Sequence, residues 1–318
     1  MEKSKKLLIT GGAGFIGSHL ADLLIGKNEV HVLDNLHLGK EENISHLYQN
    51  NRFRFFKQDL MDFEATKKLF SEQKYDRVYH LAANSDISGS LKNRDLDFDL
   101  NLQTTRSVLE AMVESGCKEI VFASTSAIYG ELKGNISENA GPLFPVSFYG
   151  ASKLSAEAFI SVYVHTYALK AWIVRFPNVV GERTTHGVIH DFILKLRKNP
   201  KELEILGDGE QNKPYLYVKD LCSAIEFFIS KSDEGINYVN ISGEGRTKVK
   251  NIAEIVAREM KLNPKFKFTG GRVGWVGDVP EFSYDVSKFH SLGWKTRVDS
   301  NQAVEMAVRN ILKDPKGI

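Results

Sequence analysis

Over its first half the chain alternates short apolar runs with amphipathic stretches. The runs at Lys6 to Thr10, Val30 to Leu33, Phe53 to Phe56, Val78 to Leu81, Ile120 to Ala123 and Trp172 to Phe176 are short and nearly continuous, as expected of strands buried on both faces. Between them, Phe15 to Ile25, Ala65 to Phe70, Asn101 to Glu114 and Ser152 to Tyr167 carry apolar residues at helical spacing. Alternation of this kind predicts an α/β fold: a doubly wound parallel sheet with helices on both faces. Ligands of such sheets bind beyond the carboxyl ends of the strands. Thr10, Asp34, Asp59, Ala82, Thr125 and Asn178 lie close after predicted strands and are expected to line one crevice.

The pattern changes after Pro177. Helical stretches at Asp191 to Lys198 and Ile252 to Met260 are joined by longer segments bearing Gly and Pro, the most irregular being Gly270 to Asp278. This predicts a smaller C-terminal lobe. Asn237 to Ile241 reads as one more buried strand, so the chain is expected to return to the sheet. The predicted division is a dinucleotide-binding domain over 1–177 with a return over 215–242, and a substrate-binding lobe over 178–214 and 243–318.

Composition narrows the function classes. The chain has 318 residues, 42% of them hydrophobic, enough for a large core. Its net charge of +2 gives no basic field for nucleic acid. No apolar run approaches the ~20 residues of a membrane helix, and the short basic start leads into a strand rather than a signal region. Cys117 and Cys222 are too few for a disulfide framework or a zinc site, and the histidines show no metal spacing with carboxylates. A cytoplasmic protein with no metal and no membrane or nucleic-acid partner is expected.

The first turn carries Gly11, Gly14 and Gly17, spaced three apart between a strand and a helix. Glycine there permits a tight turn, close approach of the backbone to a pyrophosphate, and close helix–strand packing. The helix then offers the anion its N-terminal amides, with Phe15 and Ile16 at the lip. Asp34 ends the next strand, and its carboxylate would hold ribose hydroxyls and repel a 2′-phosphate. Asn35, Leu36 and His37 follow it, with no Lys or Arg, so NAD is expected over NADP. A Rossmann-type cofactor site is expected here.

Tyr149 and Lys153 are four apart and share one helix face. A free tyrosine titrates near pH ~10, so a base working near neutrality must be brought down by about 3 pH units. A neighbouring ammonium and a positive nicotinamide ring both act in that direction. Thr125, at the end of the fifth strand, is expected to hold the reacting hydroxyl, with Ser124 and Ser126 as neighbours. Neither serine has a His and Asp beside it to form a nucleophile triad.

These motifs, with Asp59-Leu60, His80-Leu81-Ala82-Ala83, Asn101, Ser124 to Gly130, Arg175 to Asn178 and Tyr217 to Asp220, occur in an order that resembles the nucleotide-sugar epimerase/dehydratase family of extended short-chain dehydrogenases/reductases, in particular its UDP-glucose 4-epimerases. The resemblance runs nearly end to end. It implies that Asp59 and Leu60 meet the adenine, that Leu81, Ala82, Ala83, Asn101, Ser124 and Pro177 belong to the NAD site, and that Ser126 and Asn178 meet the sugar nucleotide. It also implies a homodimer built on the helices Asn101 to Glu114 and Ser152 to Tyr167, the second of which carries Phe159, Val162 and Tyr163.

Three departures bear on the reaction. Lys213 stands where the family often has an arginine that meets nucleotide phosphates, so it keeps a charge but not a bidentate fork. Arg272 precedes a Gly277-Asp278-Val279-Pro280 match and resembles a second phosphate-binding arginine. Carrying that match forward places Phe282 at a gate that excludes N-acetyl sugars. Finally, Thr125-Ser126-Ala127 lacks the carboxylate that family dehydratases and decarboxylases carry just after the threonine. The resemblance then implies 4-epimerisation of UDP-glucose and UDP-galactose through a transient ketone. UDP-glucuronate, with Arg183 as the carboxylate's partner, a one-way keto-sugar reductase and a non-catalytic dinucleotide sensor remain the alternatives.

Overall fold

In the computed structural model, residues 4–86, 90, 92–272, 279 and 281–313 are described. The chain divides into two compact units. The first comprises Met1–Gly130, Pro142–Arg175 and Ile225–Val239. Its centre is a seven-stranded sheet of β1 (Lys6–Thr10), β2 (Glu29–Asp34), β3 (Phe53–Lys57), β4 (Arg77–His80), β5 (Glu119–Thr125), β6 (Lys170–Phe176) and β7 (Ile236–Asn240). The spatial order is β7-β6-β5-β4-β1-β2-β3, and β1 pairs in parallel with both β2 and β4. The order of connection therefore reverses between β1 and β4, where such sheets bind their ligands.

Helices α1 (Phe15–Leu24), α2 (Phe63–Gln73), α3 (Thr104–Ser115) and α4 (Phe148–Tyr167) belong to this unit. A core cluster packs Leu8, Val78, Ile120, Phe122 and Ile173 of the sheet against Phe70, Val108, Met112 and Ile160 of α2, α3 and α4. The expected start of α4 at Ser152 is four residues late. Ser147 accepts from Gly150 N at 3.0 Å, and this N-cap starts the helix at Phe148. The expected single helix from Asn101 is in fact a wider π turn, Phe98–Gln103, running into α3. Helical periodicity alone does not reveal that extra residue per turn.

The second unit comprises Glu131–Gly141, Phe176–Ala224 and Asn240–Ile318. It is held by short two-stranded ribbons rather than one sheet. Asn178–Val180 pairs in parallel with Tyr215–Tyr217, and Glu202–Ile205 with Lys265–Phe268. Asn212–Lys213 runs antiparallel to Thr247–Lys248. Because Tyr215–Tyr217 pairs within this unit, the return to the first unit begins at Ile225 rather than at 215. The segment 131–141 also falls here, through Asn135–Ile136 pairing with Ser283–Tyr284.

Candidate active site

Backbone geometry builds the cradle after β1. Gly11 has φ +68°, and a Cβ there would meet Ala82 N at 2.7 Å. A Cβ on Gly17 would lie 2.3 Å from Gly11 O, so α1 packs on the turn only because residue 17 has no side chain. Gly14 is different: its added Cβ would meet Gly11 O alone, at 3.1 Å. It caps α1 with no side-chain hydrogen bond, and α1 has no acidic residue in its first turn. Gly11, Gly14, Phe15 and Ile16 form the accessible lip. A helix N-terminus without carboxylates, reached over a hydrogen-only surface, fits a dinucleotide pyrophosphate.

Asp34 is 7% exposed and serves as a clip. One carboxylate oxygen accepts from Ala13 N at 3.0 Å and the other from Leu36 N at 2.8 Å. Burial pushes its pKa up, against the pull of these two bonds. A Cβ on Gly39 would sit 2.9 Å from both oxygens. Asn35 and Asp59 are exposed and hydrogen-bonded to each other at 3.0 Å, while Leu60 is buried. Leu81 N donates to Thr10 O, and Ala82 N to Thr10 Oγ1. Leu81, Ala82 and Ala83 are half-buried beside the cradle strand. His80 bridges Thr10 Oγ1 at 2.7 Å and Thr105 Oγ1 at 3.0 Å. Burial, and then the charge of Lys153, hold it down to about 3, so it is a neutral pin joining β1, β4 and α3.

Thr125, Tyr149 and Lys153 come together in the first unit. Thr125 Oγ1 accepts from Ala127 N at 3.1 Å, which leaves its proton to bond the Tyr149 oxygen. Lys153 is 2% exposed, donates to Ala123 O at 3.0 Å and stands 4.7 Å from the Phe122 ring centre. Burial pushes the ammonium down to about 8, with Asp97 and Glu157 opposing the fall. Tyr149 departs from expectation. Burial pushes it up to about 12, the Thr125 bond pulls it down, and the Asp97 charge pushes it up further. In the protein alone the phenol is held protonated, because desolvation of the phenolate outweighs its one donor.

Two predicted contacts face inward. Ser124 is 1% exposed and its hydroxyl donates to Glu157, so it supports a buried ion pair rather than the crevice. That pair joins Glu157 to Arg175 at 2.6 and 3.0 Å, and Arg175 also donates to Tyr129 OH at 2.9 Å. Asn101, 1% exposed, accepts from Asn84 N at 2.7 Å and donates to Asp97 and to Ser152. Its side chain is fully engaged within the protein. Asp97, Asn84, Ser152 and Glu157 were not singled out from the sequence. The spacing Tyr149, Lys153, Glu157 is the signal that could have exposed the last of them.

The remaining predicted residues, Ser126 apart, belong to the second unit. Pro177 is buried, Asn178 opens its strand exposed, and Lys213 is half-buried on its ribbon. Ser126, in the first unit, is half-buried at the start of a 3-10 turn. Arg272 is exposed. Gly277, Asp278 and Pro280 lie outside the described residues. Phe282 is 8% exposed and meets the Tyr284 ring edge-on at 5.7 Å, so it is a packed aromatic of this unit. Among the described residues no group of His, Cys, Asp and Glu could hold a metal ion, and no helix is long and apolar enough to cross a membrane.

The sequence profile of the NAD dependent epimerase/dehydratase family matches residues 7–242. The chain belongs to this family. As a member, it uses NAD, and its activity lies within epimerase/dehydratase chemistry. Solved relatives include the UDP-glucose 4-epimerase of Thermus thermophilus in complex with NAD, 33% identical, covering 97% of this chain and 99% of its own, with a TM-score of 0.86. The UDP-glucose 4-epimerase of Thermotoga maritima with UDP-glucose is 31% identical over 97% and 99%, with a TM-score of 0.87. A dTDP-glucose 4,6-dehydratase of Streptomyces venezuelae is 26% identical over 97% of each chain, with a TM-score of 0.88. Epimerases and a dehydratase superpose equally well, so within this family the reaction must be argued from the site.

Proposed function

We propose that the protein is an NAD-dependent nucleotide-sugar 4-epimerase acting on UDP-glucose and UDP-galactose. The observation that carries this reading is the Thr125-Ser126-Ala127 turn. Ala127 N binds Thr125 Oγ1, and a methyl group stands where a dehydratase needs a carboxylate to take the C5 proton. Asp97 and Glu157, the carboxylates that act on Lys153, are buried, and Glu157 is bound to Arg175. The chemistry supported is confined to a hydroxyl and its ketone.

Tyr149 takes the proton of the C4 hydroxyl while Thr125 holds that oxygen. NAD, when bound, would take up the C4 hydride and give it back to the opposite face, and in its oxidised form would bring a positive ring that favours the phenolate. The cradle of Gly11, Gly14 and Gly17 would hold its pyrophosphate, and Asp34 its ribose. Lys153 stabilises the phenolate as an ammonium. Tyr149 then returns its proton to the ketone oxygen after the sugar has turned over, which leaves C4 inverted with no net redox change. Asn178, Lys213 and Arg272 are proposed to hold the nucleotide. The same reading includes a homodimer formed through α4, where Phe159 and Val162 are 44% and 59% exposed. Tyr163, expected on that face, is instead 9% exposed in the core and bonded to Glu110.

The test is incubation of the purified protein with UDP-galactose, UDP-N-acetylgalactosamine and UDP-glucuronate, without added cofactor. Conversion of UDP-galactose to UDP-glucose, faster than that of the other two, is expected. A 4-keto-6-deoxy product, or turnover only with added reduced cofactor, would overturn the reading.

A further inference from the structure

Behind Lys153 lies a charge that the reaction above does not use. Asp97 is 0% exposed. One of its oxygens accepts from Asn84 Nδ2 at 2.8 Å and from Asn101 Nδ2 at 3.2 Å. The other oxygen is buried with no hydrogen-bond partner among the described residues. A buried carboxylate left half-satisfied is costly, and such groups are rare without a role. Its surroundings are unusual too. Asp97 precedes the π turn that carries Asn101, and π turns recur at functional sites. Asn101 passes the contact onward: its amide also donates to Ser152 Oγ at 2.9 Å, and Ser152 donates to Tyr149 O at 2.9 Å. One chain of hydrogen bonds thus runs from Asp97 to the backbone of Tyr149.

We propose that Asp97 is the positioning residue of the Tyr149–Lys153 pair, fixing the electrostatic field in which both titrate and, through Asn101 and Ser152, the helical turn that carries them. The inference rests on the acid–base reading of that pair. Lys153 is faced by Asp97 from the segment entering the π turn, and by Glu157 from the next turn of α4. Glu157 is itself neutralised by Arg175 of β6. Neutral His80 faces it from β4, the Phe122 ring from β5, and Tyr149 shares its helix face. Tyr149 is faced by Thr125 and by the Asp97 charge. Asp97 is therefore the negative group common to both members of the pair. A fixed negative charge favours the ammonium of Lys153 and disfavours the phenolate of Tyr149. It keeps the lysine charged where burial would discharge it, and it makes the phenol a ready proton donor for the return step.

The sign of the test follows. Asp97→Asn removes the charge and keeps the shape: its oxygen can accept from Asn84 and Asn101, and its nitrogen falls where no partner stands. Both groups should then titrate lower. The acid limb of the pH–rate profile, set by Tyr149, and the alkaline limb, set by Lys153, should both move to lower pH by about one unit. Isotope-edited NMR of labelled lysine, with the signal assigned by its loss in Lys153→Met, reads the same effect without turnover. The Lys153 midpoint should fall below that of the unmodified protein measured alongside it. If Asp97→Asn does not fold, Asp97→Ser removes the same charge. Ser152→Ala cuts the relay but keeps the charge, and should lower the rate with both limbs in place. A slower Asp97→Asn enzyme with unmoved limbs and an unmoved lysine midpoint would overturn the proposal and leave only a structural carboxylate. Near-normal turnover by Tyr149→Phe would instead overturn the acid–base reading on which it rests.

Discussion

The proposed cofactor cradle and the proposed acid–base corner lie in one unit and are made in opposite ways. The cradle is made by leaving atoms out. Gly11 supplies conformation, and Gly11 and Gly17 supply clearance, within seven consecutive positions. The corner is made by burying charge. Lys153 and Glu157 of α4, Asp97 before the π turn and Arg175 of β6 come from three separate stretches and are each less than a tenth exposed. A site built of clearance fails by collision, whereas one built of buried charge fails by losing a partner.

Removing the reacting oxygen should have the largest effect. Tyr149→Phe is expected to lower kcat by about a thousandfold, as loss of a general acid–base group does, with NAD still bound. Turnover and the cofactor content of the purified protein, measured together, check both halves of that statement. Next comes the cradle. Gly17→Ala puts a methyl 2.3 Å from Gly11 O and should yield protein without retained NAD, whereas Gly14→Ala, with a single contact at 3.1 Å, should keep it. Equal cofactor content in the two variants would contradict a cradle made by clearance.

Glu157→Gln tests the corner by stability. It leaves the Arg175 guanidinium buried without its counter-charge, and the loss should be about 3–5 kcal/mol in urea unfolding. A loss below about 1 kcal/mol would mean that Arg175 finds water instead. Thr125→Val removes one hydrogen bond to the reacting oxygens and should cost about ten- to a hundredfold in kcat/KM. Val162→Lys should have the smallest effect on chemistry. It places a charge on the exposed apolar face of α4 and should shift sedimentation toward monomer, with the acid–base limbs of the pH profile unchanged.

The same contrast explains what could be read from the chain in advance. The strand at Lys6–Thr10 was legible to the residue, because its apolar run is continuous and both its faces are buried. The glycine turn was legible because its geometry is local. Tyr149, Lys153 and Thr125 were legible as residues, but the direction of the Tyr149 titration was not. It depends on burial and on Asp97, more than fifty residues upstream in the chain. Ser124 and Asn101 were legible as motif members, yet their side chains turn to Glu157 and Ser152, a choice made by packing. In the second unit the strands are only two to four residues long, too short for periodicity to mark them.

The double hold of Asp34 on Ala13 N and Leu36 N makes cofactor preference hard to re-engineer in this protein. Exchanging that carboxylate for a neutral or basic side chain, the obvious route to accepting a 2′-phosphate, would also untie the turn of the cradle from the loop after β2. Leu36, at φ +62°, would lose the acceptor that helps hold it in a conformation side chains avoid. With Asp34 as the proposed ribose partner, specificity and loop shape would share one residue, and a switch of cofactor would call for a new loop and not for a single substitution.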